Sequence, residues 1–144
     1  MTARTQRLLT IIKPFFNVKE LVTREFYDLL GEDAICIFEE KILITLVDLR
    51  LFFGKRMYVN TWMYGGAIDG RGYRDLKEDT GGLGSQHRQA NGIDFTVDCI
   101  SAEEARLEIL ANSDVFPHLR RMEKDVSWVH FDLKETDKKE IVLF

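Results

Sequence analysis

The sequence predicts an α+β fold, organised as a single domain over residues 1–144. Three observations carry the prediction. Helical spacing dominates the first third of the chain, short strand-like runs dominate the last third, and glycines crowd the stretch between them. Helices ahead of short strands fit an α+β domain better than alternating βαβ units. At 144 residues, with 45% apolar and 31% charged residues, the chain suits one core and has ordinary globular composition.

The elements follow in chain order. "MTARTQRLLTIIKPFF" carries a short apolar run that Lys13 and Pro14 end. The run is too short for the core of a signal peptide, and no small-residue cleavage site follows it. No apolar stretch approaches membrane-spanning length. The expectation is a chain that is cytoplasmic at synthesis, with no membrane span. Asn17 and Glu20 resemble a capping box, and Gly31 suits a C-terminal cap. Between them Val18, Leu21, Val22, Phe26, Leu29 and Leu30 keep helical spacing, so one helix is expected there. A second helix is expected from Glu39 to Phe53, ending at Gly54, with a stripe of Ile42, Leu46, Leu49 and Phe53.

Met57 to Met63, "MYVNTWM", reads as a strand. Eight of the ten glycines then fall between Gly65 and Gly92, which marks loops and close backbone approaches. Ser101 with Glu104 forms a capping box for a third helix, "SAEEARLEILAN". Short strands are expected around Leu119 to Glu123, from Ser127 to Leu133, and in the closing "EIVLF".

Cys36 and Cys99 are far apart and in no CxxC pair, so both are expected as buried thiols rather than a disulfide. A net charge of −4 without a long Lys/Arg tract argues against a general nucleic-acid binder. The chain is long enough to stand as a monomer.

Chemistry concentrates in two segments, "GSQHRQANGIDF" and "SWVHFDL". Taken as a strand, "NGIDFTVD" puts Ile93, Phe95 and Val97 on one face and Asp94, Thr96 and Asp98 on the other. In "SWVHFDLK", Val129, Phe131 and Leu133 share one face, and Trp128, His130 and Asp132 the other. Neighbouring strands would let Asp94 and His130 meet, and His87 could fold over from the preceding turn. Two imidazoles and a carboxylate suit zinc and leave a fourth position for a water that the cation acidifies. Non-haem iron uses the same donors, but its usual local spacing is His-x-Asp, whereas His87 and Asp94 are seven apart.

Ser85 to Asp94, "SQHRQANGID", resembles the S-x-H-x-x-G-x-A-x-D motif of the zinc D-Ala-D-Ala carboxypeptidase family. That family includes phage L-alanyl-D-glutamate endopeptidases and shares its fold with the Hedgehog signalling domain. Ala90 and Gly92 exchange the two small positions of the motif. "SWVH" resembles the closing W-x-H strand, and "RGYR", Arg71 to Arg74, resembles an S-G-Y-R segment. The resemblance covers residues 57–133 and points to a short phage or prophage type.

It implies a Hedgehog/DD-peptidase-like fold and zinc held by His87, Asp94 and His130. Arg74 would bind a carboxylate or carbonyl of the peptide, Ser85 would hydrogen-bond within the motif loop or to substrate, and Trp128 would wall the site. The implied function is hydrolysis of a peptide bond in peptidoglycan stem peptides, with zinc as the only cofactor.

One departure bears on catalysis. Many members place a carboxylate three residues before the last histidine, where this chain has Ser127. Other branches place a glutamate about six before; here Lys124 stands there, flanked by Glu123 and Asp125. Glu123 is the first candidate for the catalytic base and Asp125 the second. If neither serves, the same fold would be a zinc-binding, non-hydrolytic cell-wall or virion-associated module. Asp98 and Asp132 would be either partners for imidazole N–H groups or solvated charges, and His118 a surface or turn residue.

Overall fold

The computed structural model describes residues 1–74, 87 and 90–144. It is an α+β arrangement with four α-helices and a five-stranded mixed sheet among the described residues. Helix α1 spans Ala3–Ile12, α2 Arg24–Leu30, α3 Glu40–Phe53 and α4 Ala102–Ala111. The strands are β1 (Met57–Tyr58), β2 (Gly92–Val97), β3 (Arg121–Met122), β4 (Val129–Asp132) and β5 (Val142–Leu143). Their order in the sheet is β1-β2-β4-β3-β5. Every pairing is antiparallel except β3 with β5.

Helix α1 begins at Thr2, whose side chain accepts the Thr5 N–H, and it buries Thr5, Leu8 and Ile12. No helix is expected here from the pattern of residues, because the apolar run is too short to show a periodic face. Helix α3 matches the expected span and ends at Gly54 in the left-handed region, φ 62, a conformation glycine adopts without a Cβ penalty. In α4 the Ser101 Oγ accepts the Glu104 N–H at 3.1 Å, and Glu104 Oε2 accepts the Ser101 N–H at 3.2 Å. The capping box thus satisfies two end donors of that helix.

The single helix expected over 17–31 is broken. Val18–Glu20 forms one 3-10 turn, and α2 starts anew behind Thr23, whose Oγ1 accepts the Phe26 N–H at 3.2 Å. The break has a physical cause. The carbonyl of Glu20 accepts from the Asn60 N–H, that of Leu21 from the Tyr73 N–H, and that of Val22 from both Asn60 Nδ2 and Trp62 Nε1. These three carbonyls point outward to a distant segment, so they cannot continue a helical ladder. Gly31 does cap α2, with φ 59 and its N–H on the Tyr27 carbonyl.

The strand expected over Met57 to Met63 is cut to Met57–Tyr58, and Trp62–Tyr64 is a 3-10 turn. The Val22 carbonyl that draws in Asn60 and Trp62 turns the chain away from the sheet edge. Helices do not all precede strands, since α4 lies between β2 and β3.

The core is continuous. Leu8, Ile12, Val18, Leu21, Ile42, Leu46 and Leu49 from the helical half join Ile93, Phe95, Met122, Val129 and Phe131 from the sheet. Burial of this apolar surface is the main stabilising term. Both cysteines are free, but neither is buried: Cys36 is half-buried and Cys99 is exposed. Cys99 lies in the turn after β2 with φ 61, and the Cys36 Sγ sits 3.2 Å from the Thr5 hydroxyl. No described helix is long and apolar enough to cross a membrane.

Candidate metal centre

The centre begins with strand register. Strands β2 and β4 pair antiparallel, with Asp94 directly opposite His130 and Ile93 opposite Phe131. The alternation of each strand therefore sorts Ile93, Phe95, Val129 and Phe131 to the core and Asp94, His130 and Asp132 to the other face. The Leu133 N–H donates to the Asn91 carbonyl at 3.1 Å, which makes 91 and 133 a hydrogen-bonded pair. By alternation Asp94 and His130 are a non-hydrogen-bonded pair, the kind in which facing side chains stand closest. The Asp94 N–H turns away from β4 and donates to the Arg71 carbonyl at 2.7 Å.

His87 arrives from the turn ahead of β2. Its carbonyl accepts the Ala90 N–H at 3.2 Å, and Ala90 has φ 57. That left-handed conformation costs an alanine about 1–2 kcal/mol. The turn therefore keeps its shape at the expense of local strain.

The three side chains converge on one oxygen. Asp94 Oδ1 lies 3.1 Å from His87 Nε2 and 2.7 Å from His130 Nδ1. One ligand atom from each of the three residues falls within 4.8 Å of the others, and all three residues are buried. This His-Asp-His group could hold a metal ion.

The outward nitrogens strengthen the fit. His87 Nδ1 faces the Gly72 carbonyl at 2.8 Å; a carbonyl only accepts, so Nδ1 carries a proton and Nε2 is the atom turned inward. His130 Nε2 faces Asp132 Oδ2 at 3.0 Å. Asp132 is fully buried and is itself gripped by Arg121, Nε to Oδ1 at 2.9 Å and Nη2 to Oδ2 at 2.7 Å. Each imidazole thus has one nitrogen directed at Asp94 and the other fixed by an acceptor, as ligands of a metal are oriented.

Phe144 lies across this corner. Its ring stacks edge-on with His130 at 5.8 Å and lies under the Arg121 guanidinium at 4.1 Å.

The electrostatics are those of a site that holds positive charge. Burial works against an ionised Asp94, but hydrogen bonds from His130 and His87 outweigh it and hold the carboxyl at about 2. Burial alone would lower the pKa of His130; its hydrogen bonds to Asp132 and Asp94 overcome that and raise it to about 9. Burial likewise opposes charge on Asp132, and His130 with Arg121 brings its pKa down.

The remaining sequence candidates are placed as follows. Arg74 Nη2 lies 3.3 Å from Asp94 Oδ2, and its Nε donates to the Gly70 carbonyl, so this arginine stands at the centre. Ser85 lies outside the described residues. Trp128 precedes β4 by one position; its Nε1 is buried with no hydrogen-bond partner among the described residues, and its carbonyl accepts from Arg106 at 2.9 Å.

Strand β3 pairs with β4 through Arg121 opposite Asp132 and Met122 opposite Phe131. That register puts Glu123 opposite His130, where the Glu123 N–H donates to the His130 carbonyl at 3.3 Å. Asp94, His130 and Glu123 therefore stand in one row on one face. Asp125 instead sits exposed in the following turn, with φ 61. His118 is a half-buried turn residue and Asp98 is exposed.

Sequence reasoning missed Arg121. Its only sequence signal was the alternation that places it level with Asp132 if β3 and β4 pair. It left Asp132 open between partner and solvated charge, and the structure makes it a partner. Compared with models of protein families, with curated proteins and with solved structures, the chain has no match.

Proposed function

We propose that the protein is a zinc metallopeptidase that hydrolyses a peptide bond in peptidoglycan stem peptides, on a Hedgehog/DD-peptidase-like fold. The observation that carries the metal part is the pairing of inward and outward nitrogens. His87 Nε2 and His130 Nδ1 both face Asp94, while Gly72 and Asp132 occupy the opposite nitrogens. Two imidazoles and one carboxylate favour zinc among the common divalent ions. The substrate class rests on the resemblance of residues 85–94 and 127–130 to the carboxypeptidase motifs.

His87, Asp94 and His130 would hold the ion. A bound zinc supplies Lewis acidity, activating water and polarising the scissile carbonyl. Glu123 accepts the proton that water releases, since it shares a face and a row with His130. Asp125 is the less favoured base because it points from an exposed turn. Arg74 neutralises a carboxylate or carbonyl of the peptide with its guanidinium fork. Trp128 shields the centre from water, and Ser85 serves the motif loop or the substrate. An expected phage or prophage origin, with action on the cell wall, follows from the same resemblance.

The test is zinc content per chain, measured by elemental analysis on wild type and His130→Ala purified without added metal. The reading expects near-stoichiometric zinc in the wild type and its loss in the variant, then release of fragments from wall peptides by the wild type only. A wild type that neither carries nor takes up zinc overturns it.

A second reading has its own observation. Ser127 stands where many members have the carboxylate, and among the described residues the side chain of Glu123 makes no hydrogen bond to His87, Asp94 or His130. On this reading the protein is a zinc-holding, non-hydrolytic wall- or virion-associated module. Full zinc occupancy with no cleavage of any wall peptide would select it.

A further inference from the structure

Away from the metal centre, three cations of this acidic chain converge on one pocket. Lys13, Arg50 and Arg56 line a cavity of about 440 Å³, with Phe15 and Tyr64 on its walls. It lies where the chain leaves α1, between that corner, the end of α3 and the start of β1.

Each guanidinium group sits over an aromatic ring. Arg50 lies over Phe15 at 4.8 Å from the ring centre. Arg56 lies over Tyr58 at 5.0 Å and over Tyr64 at 5.5 Å. Stacking fixes the plane of a guanidinium but spends none of its N–H donors. The arginine ion pairs among the described residues engage Arg7, Arg24, Arg74, Arg106 and Arg121, and neither Arg50 nor Arg56.

Glu20 is the one acid of the lining. It is buried and its Oε2 accepts the Asn17 N–H at 2.9 Å, so it offsets the three cations only in part. Two guanidinium groups over aromatic rings and outside any ion pair among the described residues, with an ammonium in the same lining, form a receptor for a planar or tetrahedral oxyanion.

We propose that this pocket binds a doubly charged oxyanion, the phosphate or dicarboxylate group of a larger ligand, through Arg50 and Arg56. The proposal is independent of the metal centre and stands or falls without it.

The test uses the full chain labelled with ¹⁵N, with the Arg Nε–H signals followed by NMR during separate titrations with inorganic phosphate, succinate and, at matched ionic strength, sodium chloride. The Arg50 and Arg56 signals are expected to shift and saturate, while Arg7, paired with Glu40, stays in place. In Arg50→Gln/Arg56→Gln the half-saturation point, read on the Tyr64 backbone amide, is expected to rise about tenfold or more. The amide spectrum reports whether that variant is folded; Lys13→Gln, at an exposed position, is the milder variant if it is not.

Saturation by phosphate alone would assign a phosphate-bearing ligand, and by succinate alone a carboxylate-bearing one; either supports the proposal. Shifts that rise linearly with both anions, or that chloride reproduces, overturn it. So does binding that the variants leave unchanged.

Discussion

His130 and Asp132 are two residues apart on β4, and their side chains touch, Nε2 to Oδ2 at 3.0 Å. Both point to the same face because strand side chains alternate, and Arg121 from the neighbouring strand locks the pair from the far side. The ring of His130 is thereby set before any ion arrives.

Replacing that acceptor should cost metal affinity without removing a ligand. Asp132→Asn keeps the shape of the side chain and removes its charge. The zinc dissociation constant, measured by competition with a chelator, should rise about 10–100-fold. An unchanged constant would mean that Asp132 serves packing alone.

Zinc should also compete with a proton. His130 has a pKa raised to about 9, so at pH 7 its inward nitrogen is protonated and must release that proton to bind metal. Asp94, held at about 2, has none to release. Affinity should rise about tenfold per pH unit between pH 7 and 9, with about one proton released from His130. Calorimetry at pH 7 in two buffers of different ionisation enthalpy measures the count.

Without metal, stability should fall away on both sides of a mildly acidic window. Asp94 is lowered from 3.8 to about 2, so its contribution is present above 3.8 and lost as pH falls through about 2. His130 is raised from 6.5 to about 9, so its contribution is full below 6.5 and lost as pH rises through about 9. Thermal melts in chelator should therefore be highest between about pH 4 and 6.5. His130→Gln should flatten the alkaline side.

The row formed by Asp94, His130 and Glu123 separates the two candidate bases. Glu123→Ala should lower cleavage of wall peptides by about 10²-fold or more, whereas Asp125→Ala should leave it near wild type. Zinc content should stay the same in both. Loss of cleavage in Asp125→Ala alone would reverse the assignment.

Gly72 offers a backbone test. A Cβ there would collide with the Leu21 carbonyl oxygen and meet its carbon at 2.6 Å. Both belong to backbone and cannot swing aside. Gly72→Ala should destabilise the protein by about 1–3 kcal/mol and weaken zinc binding, because the Gly72 carbonyl orients His87. Gly70→Ala is the control, since its Cβ would sit at an ordinary 3.6 Å from the Arg74 side chain.

What the sequence revealed tracks the range of the interactions involved. Asp94 and His130 were legible because alternation is local: Ile93 and Phe95 on one side, Val129 and Phe131 on the other, fix where the polar residues between them point. The ends of α3 and α4 were legible because Gly54, Ser101 and Glu104 are themselves the caps. The break at residues 21–23 and the shortening of β1 were not, because both are set by hydrogen bonds spanning about forty residues, such as Trp62 Nε1 to the Val22 carbonyl. Arg121 was hidden for the same reason: nothing within β3 reports that Asp132 lies opposite.

The carbonyls of Glu20, Leu21 and Val22 have a last consequence. They anchor Asn60, Trp62 and Tyr73, and the residue before Tyr73 supplies the oxygen that orients His87. A fragment beginning at residue 55 would contain every proposed ligand, yet nothing to hang that loop upon. The helical third of the chain thus shapes the centre from a distance, and a protease nick there would disarm it without touching any of the three proposed ligands.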